Sequence, residues 1–209
     1  MSKKLFIKGT LLLTFAGLAS RLIGFFYRIF LSHTIGAEGL GIFQLVMPLQ
    51  ILALAFCASG IQTAISRLTA SRKALGCPGR AGDYFISGTL FSVLFSLVLS
   101  FLFYYRADFW AVKILKEPRT ASLIRMMAPA VPLSTLHTCI NSYYFGRKKA
   151  GLPAGIQLLE QAFRVGGCYV IYLVCISEKR TVTPLMAAGG NLIGETAACI
   201  ASLFFISMH

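Results

Sequence analysis

Long apolar runs alternate with short polar segments along the whole chain. A helix needs about 20 residues to cross the hydrocarbon layer of a bilayer, which is roughly 30 Å thick. Six runs in the 209 residues are that long. They are continuous, whereas the strands of a membrane β-barrel alternate polar and apolar residues. We therefore predict an all-α integral membrane protein with six transmembrane helices, at residues 6–31, 40–65, 84–105, 120–145, 154–176 and 184–208.

Glycine and proline predict local features of these six spans. Gly36, Gly39 and Gly41 lie in the short connection "LSHTIGAEGLG" and permit a tight turn between the first two spans. Pro129 and Pro132 lie in the fourth span, where they are expected to kink or unwind the helix. Gly190 and Gly194 form a GxxxG pattern in the sixth span, which favours close contact with another helix.

Composition agrees with a membrane protein and leaves no room for a soluble domain. Hydrophobic residues make up 56% of the chain and charged residues 13%. The formal net charge of +13 is explained by topology, because Lys and Arg concentrate in cytoplasmic loops. With a cytoplasmic N-terminus, the inner segments hold ten Lys and Arg residues and the outer segments hold six. We therefore predict a multi-pass protein of the cytoplasmic (plasma) membrane with its N-terminus inside and no nucleic-acid partner.

Patterns of catalytic and metal-binding residues are missing from the sequence. There is no DxD motif, no pair of neighbouring acidic residues outside the spans and no Ser/His/Asp set. His33, His137 and His209 are far apart in the sequence, and none of the six cysteines forms a CxxC pair. We therefore predict no enzyme, no metal site and no cofactor.

Ionisable residues inside the spans are the candidate functional residues, because burying charge in a membrane is costly. Arg21 lies only about 5 Å beyond the middle of the first span, at 1.5 Å per helical residue. Arg28 lies seven residues later, about 20° away around the helix, so both arginines share one face. Arg28 is close to the outer boundary, where it either faces a cavity that receives anions or extends its side chain to the headgroups as an anchor.

The fifth span carries a polar stripe on an otherwise apolar helix. Gln157, Glu160, Gln161 and Arg164 follow the i, i+3, i+4, i+7 spacing of one helix face. Glu160 and Arg164 are spaced for an ion pair in the favourable order. Two interpretations stay open: a self-neutralised pair that holds the bundle together, or a stripe that faces the same cavity as Arg21.

The fourth and sixth spans add further polar groups. Asn191 and Glu195 are four residues apart in the sixth span, and Arg125 lies in the outer third of the fourth. The spans thus hold four arginines against two glutamates, so we expect a net positive interior that receives an anion. Guanidinium groups match phosphate oxygens well. The predicted substrate-binding residues are Arg21, Arg28, Arg125, Gln157, Glu160, Arg164, Asn191 and Glu195.

The motif "GFFYRIFLS..IGAEGLG.FQL" at residues 24–45, supported by "EQAFRV" at 160–165, resembles the polysaccharide-transporter branch of the multidrug/oligosaccharidyl-lipid/polysaccharide (MOP) flippase superfamily. The resemblance implies a MATE-like transporter with two six-helix lobes around a central cavity. This chain would be the N-terminal lobe, and the C-terminal lobe would be missing. The last residues, "ASLFFISMH", are still apolar, so we expect this chain to be the first half of a longer protein.

The same resemblance implies a site. Lipid II flippases of the superfamily have a similar "SR..GF" start to their first helix, and early arginines there are held to meet the diphosphate. Arg21 matches the first arginine of that pattern, whereas Arg28 falls one residue later than the second.

Together, these observations predict a flippase for a polyprenyl-diphosphate-linked oligosaccharide or peptidoglycan precursor that works by alternating access. The resemblance places it in spore-envelope or cell-wall polysaccharide assembly. Its partners would be the lipid-linked saccharide, membrane lipids and the C-terminal lobe, with possible coupling to Na⁺, H⁺ or the membrane potential. The alternative is a cation-coupled multidrug antiporter of the same fold, in which Glu160 or Glu195 would be the working carboxylate.

Overall fold

The computed structural model describes residues 3–75 and 79–208, and it describes side chains for 9–75 and 82–208. These residues form helices joined by short connections, with no strand among them. Two π-helical turns, Ala55–Ser59 and Trp110–Ile114, follow α1 and α4. The prediction of an all-α membrane fold is confirmed. The helices are α1 Lys3–Leu54, α2 Gly60–Ala74, α3 Gly79–Tyr105, α4 Ala107–Phe109, α5 Thr120–Met127, α6 Ala130–Gly146, α7 Gly151–Ser177 and α8 Leu185–Ser207.

Helix α1 consists of two arms that meet at Gly36. This residue has φ 73° and ψ 170°, a backbone conformation that is essentially restricted to glycine. Residues at similar distances on either side of it, such as Gly24 and Met47 or Leu31 and Leu40, line one cavity. The two arms therefore lie side by side, and they correspond to the first two predicted spans.

The connections on one side of the bundle contact one another. Lys73 Nζ, at the end of α2, donates a hydrogen bond to the backbone carbonyl of Arg147 at 3.2 Å. Gly9, at the beginning of the first arm of α1, packs against Ala150 in the connection between α6 and α7. The end of α2 and the connection between α6 and α7 therefore lie on the same side of the bundle as the beginning of α1, as the sequence predicts.

The opposite side of the bundle carries a cluster of exposed charged side chains. Arg119 pairs with Glu38, just beyond the turn of α1, at 2.8 Å and with Glu117 at 2.9 Å. Hydrogen bonds from Arg119 lower the pKa of the Glu117 carboxyl below its ordinary value. Gly39 packs against Pro184 in the connection between α7 and α8. Because successive connections alternate between the two sides, the described chain crosses the bundle six times.

Four helices in the described chain are long and apolar enough to span a membrane: 9–74, 82–105, 151–177 and 185–207. The first covers most of both predicted spans, 6–31 and 40–65, and its helix continues to Ala74, nine residues beyond the predicted end of the second span. The residues from 66 to 74, "SRLTASRKA", contain neither proline nor glycine, and nothing in them stops the helix.

The predicted fourth span, 120–145, is not one continuous helix. Helix α5 ends at Met127 and α6 begins at Ala130, with Pro129 between them. Proline has no N–H to continue the hydrogen-bond ladder, and its ring displaces the preceding turn. The predicted interruption is confirmed at Pro129, whereas Pro132 lies in the first turn of α6, where proline is tolerated.

Large apolar side chains cover much of the outer surface. Soluble monomers rarely expose continuous apolar patches of more than a few hundred Å², whereas the long helices here expose phenylalanine, leucine and valine along their length. With the four long apolar helices, this surface identifies a multi-pass membrane protein. Examples more than half exposed are Phe15, Phe56, Phe91, Val98 and Phe204.

Candidate functional site

Four ionisable side chains meet inside the bundle, and we call this group the buried charge cluster: His137 on α6, Glu160 and Arg164 on α7, and Glu195 on α8. Arg164 Nη2 donates to Glu160 Oε1 and lies 3.6 Å from Glu195 Oε1. His137 Nε2 lies 3.1 Å from Glu195 Oε2. All four side chains are largely buried and lie near the middle of their helices, so the cluster is at mid-depth in the membrane.

The close approach of α8 to α7 positions this cluster. A Cβ atom on Gly194 would lie 2.9 Å from both Arg164 Cβ and the carbonyl oxygen of Glu160. A Cβ atom on Gly190 would lie 2.8 Å from the carbonyl oxygen of Arg164. The GxxxG pattern therefore forms the close contact with another helix that the sequence predicted. This contact brings Glu195 next to Arg164.

A cavity of about 220 Å³ adjoins the cluster. At roughly 30 Å³ per water molecule, it has room for about seven waters or a small anionic group. Arg28 and Arg164 supply its two cationic groups, and none of the described side chains that line it is acidic. The lining residues are Gly24, Tyr27, Arg28, Leu31, Leu40, Phe43, Gln44, Met47, Gln161, Arg164 and Asn191.

Two residues connect the cavity to the cluster. Arg164 belongs to both, since it lines the cavity and pairs with the two glutamates. Asn191 lines the cavity one turn before Glu195, and its Nδ2 donates to Gln50 Oε1 on the second arm of α1 at 3.1 Å. A change of charge in the cluster therefore acts directly on a group that faces the cavity.

The structure brings together five of the eight predicted site residues. Glu160, Arg164 and Glu195 belong to the cluster, and Arg28, Arg164 and Asn191 line the cavity. The predicted ion pair between Glu160 and Arg164 is confirmed.

Three predicted residues lie apart from this site. Arg125 is exposed, and its Nη2 pairs with Asp108 Oδ2 at 2.5 Å. Arg21 and Gln157 are also exposed, and neither lines the cavity. A role for Arg21 in binding the diphosphate stays a prediction.

The distribution of charge differs from the expected net positive interior. The buried charge cluster contains one arginine and two glutamates, while the arginines at positions 21, 28 and 125 are exposed. The excess of positive charge thus lies at the cavity and on the exposed faces of α1 and α5.

His137 is the member of the buried charge cluster that was not predicted from the sequence. The spacing of His137 from the other two histidines indicates no ligand set, but His137 is an ionisable side chain inside the fourth predicted span. Such a residue is itself a signal, because charged and titratable groups in a membrane span usually have a partner. That partner, Glu195, is 58 positions away in the sequence.

The cluster also offers atoms that suit a metal. The His137 ring and the carboxylates of Glu160 and Glu195 each offer one ligand atom, and these atoms lie within 4.8 Å of one another. However, the Arg164 guanidinium already contacts both carboxylates and supplies the positive charge that a metal would bring. We therefore assign no metal to this group.

The row of hydroxyl groups on α6 is structural, as expected for Ser and Thr in membrane helices. Four of these side chains bond to the carbonyl four residues earlier in their own helix, so they are not free for a substrate. They are Ser134, Thr135, Thr138 and Ser142.

Comparisons with known proteins identify the family. The model of the family described as polysaccharide biosynthesis protein matches residues 6–208. Stage V sporulation protein B of Bacillus subtilis (strain 168) is 29% identical over 206 residues, which cover 99% of this chain and 39% of that protein. Lipid II flippase MurJ of the same organism is 25% identical over 173 residues, which cover 79% and 32%.

The chain thus spans well under half the length of these relatives. No solved structure matches it. With a family model that covers nearly the whole chain and a membrane fold that agrees with it, this chain belongs to the family described as polysaccharide biosynthesis protein.

Proposed function

We propose that this chain forms one lobe of a flippase that moves a lipid-linked saccharide precursor across the cytoplasmic membrane. The cavity beside the buried charge cluster would hold the diphosphate of the carrier lipid, and the polyprenyl tail would stay in the bilayer. A second lobe would complete the transporter and allow alternating access.

The observation that carries this proposal is the charge of the cavity. Arg28 and Arg164 face a volume of about 220 Å³ whose described lining contains no carboxylate. Two guanidinium groups can donate several charge-assisted hydrogen bonds to a diphosphate. Amide side chains from Gln44, Gln161 and Asn191 complete a polar lining that suits phosphate oxygens.

The relatives support the same function. One of them is a lipid II flippase by name, so a transporter fits the family better than an enzyme. A plasma-membrane location with a cytoplasmic N-terminus is proposed from the distribution of Lys and Arg, and spore-envelope assembly from the sporulation protein among the relatives.

A cation-coupled drug antiporter is the alternative. It would need a carboxylate that is accessible to a cationic guest. Glu160 and Glu195 are instead paired with Arg164 and His137, and they do not line the cavity. An organic cation in the cavity would meet two arginines, so this geometry favours the anionic substrate.

Substitution of Arg28 tests the proposal. We expect Arg28→Ala to weaken binding of farnesyl diphosphate to the purified chain in nanodiscs by about 10- to 100-fold, because hydrogen bonds to charged groups contribute about 1.5–3 kcal/mol each. Isothermal titration calorimetry measures the affinity, and farnesol serves as the probe without phosphate.

Arg125→Ala is the matched control, since it removes the same charge from an exposed arginine that does not line the cavity. It should leave the affinity unchanged. Equal losses in the two variants would contradict the proposed site, and tighter binding of tetraphenylphosphonium than of farnesyl diphosphate would favour the antiporter. Arg21→Ala in the same assay tests the role that the family motif implies for Arg21.

A further inference from the structure

We propose that His137 is a proton-binding site whose protonation releases Arg164 from the buried charge cluster to the anion in the cavity. This inference rests on the proposed function and adds the ion that controls the site.

The charges of the cluster require an additional cation. With a neutral imidazole, one guanidinium faces two carboxylates, so the group carries a net charge of −1 at mid-depth in the membrane. An uncompensated charge there is costly. One proton on His137 brings the net charge to zero, whereas a divalent metal would bring it to +1 and compete with Arg164 for both carboxylates. A monovalent metal such as Na⁺ would also neutralise the group, but three of the four carboxylate oxygens already contact Arg164 or His137, so the proton is the cation that fits.

The geometry assigns the atom that receives the proton. With the Nε2–H of His137 donating to Glu195 Oε2, the Nδ1 atom holds the lone pair of the neutral ring. Nδ1 is buried and has no hydrogen-bond partner in the described structure. A hydronium ion supplies the proton: one of its O–H bonds breaks, the new Nδ1–H bond forms, and a water molecule is left. Asn141 Oδ1, buried and likewise without a partner, lies one turn further along the same face of α6 and can accept from this N–H.

Ionisable side chains surround His137, so a charge on its ring changes their interactions. Glu195 faces it from α8, and the ion pair of Glu160 and Arg164 completes the group from α7. Among the described residues, no ion pair joins His137 to a charged side chain of α1, α2 or α3. Histidine is the side chain whose charge ordinarily changes between pH 5 and 8, and Glu160, Arg164 and Glu195 are the ionisable groups that surround it.

Glu195 transmits the change to the cavity. Its two oxygens are divided between His137 and Arg164. An imidazolium neutralises Glu195, so Arg164 keeps Glu160 as its single carboxylate partner and can turn a guanidinium nitrogen toward the cavity that it already lines. Lower pH should therefore strengthen anion binding, and by linkage a bound anion should favour protonation of His137.

The first test compares farnesyl diphosphate affinity at pH 8 and pH 6. The phosphates of the probe also change protonation over this pH range. The quantity compared between variants is therefore the ratio of the affinities at the two pH values. We expect the ratio of affinities at the two pH values to be about tenfold larger in the wild type than in His137→Gln, within the usual range of coupling between two sites. His33→Gln, which alters an exposed histidine, is the control and should behave as the wild type. The same ratio in all three proteins would overturn the proposal.

The second test measures protonation without the probe and without altering His137. The chain has three histidines, so His33→Gln/His209→Gln retains His137 alone. In ¹⁵N-histidine NMR of this variant in nanodiscs, the ring resonances should change from a neutral to an imidazolium pattern between pH 8 and pH 5.5. Resonances that stay fixed over this range would overturn the proposal. If the probe fails to bind at every pH, the proposed function fails, and the NMR titration still decides whether His137 takes a proton.

Discussion

Replacement of Arg164 by Gln is expected to destabilise the chain by about 3–5 kcal/mol, the usual cost of removing one partner from a buried ion pair. The guanidinium is the positive partner of both Glu160 and Glu195, and all three side chains are at most one-fifth exposed. Its loss leaves two carboxylates at mid-depth in the membrane with only His137 beside them. Thermal unfolding can be followed with a thiol-reactive fluorophore, because Cys168 and Cys199 are buried and react only when the helices separate.

Two further variants separate stability from binding. The triple variant Glu160→Gln/Arg164→Gln/Glu195→Gln removes all three charges and should recover most of the lost stability, because an uncharged group of similar shape carries no unpaired ion. It should still bind farnesyl diphosphate weakly, because Arg164 is absent from the cavity. Arg28→Gln should weaken binding as well, while its stability should equal that of the wild type. If Arg164→Gln alone unfolds at the wild-type temperature, the assignment of Arg164 to a buried pair is wrong.

The substitution Gly194→Ala is expected to have the second-largest effect, a loss of stability of about 1–3 kcal/mol. The new methyl group would lie 2.9 Å from the Glu160 carbonyl oxygen and from Arg164 Cβ. The first of these neighbours is backbone, which cannot turn away as a flexible side chain can. Helix α8 would have to move outward from α7, and Glu195 would then separate from Arg164. The same thiol-reactivity assay measures the stability, and calorimetry with farnesyl diphosphate measures the effect on the site.

Gly166→Ala is the matched control on α7, since a Cβ atom there has no neighbour within 4 Å. Alanine is a better helix former than glycine by up to about 1 kcal/mol, so this variant should be neutral or slightly stabilised. Equal unfolding temperatures for Gly166→Ala and Gly194→Ala would show that α7 and α8 do not depend on the close contact at Gly194.

The sequence by itself determined the features that depend on local spacing. Apolar runs of membrane-spanning length predicted the helices, and Pro129 and Pro132 predicted the interruption of the fourth span, which the structure places at Pro129. The four-residue spacing predicted the pair of Glu160 and Arg164, because neighbours one turn apart meet on any helix. The glycines at positions 36, 39 and 41 predicted a turn between the first two spans because glycine adopts conformations that other residues avoid, and the structure places that turn at Gly36. The extension of the second helix to Ala74 was not predicted from the sequence, because the basic segment after residue 65 was assigned to a connection.

Contacts between helices were decided by the tertiary structure alone. His137 meets Glu195 and Asn191 meets Gln50 across large separations in the sequence, and no local periodicity relates such residues. The rotation and depth of each helix are set by packing, above all by the close approach of α8 to α7. The same packing brings Arg28 and Arg164 to one cavity and leaves Arg125 paired elsewhere. The sequence could predict candidate side chains from their type and their depth in the membrane. Only the packing of the helices determined which of them share a site.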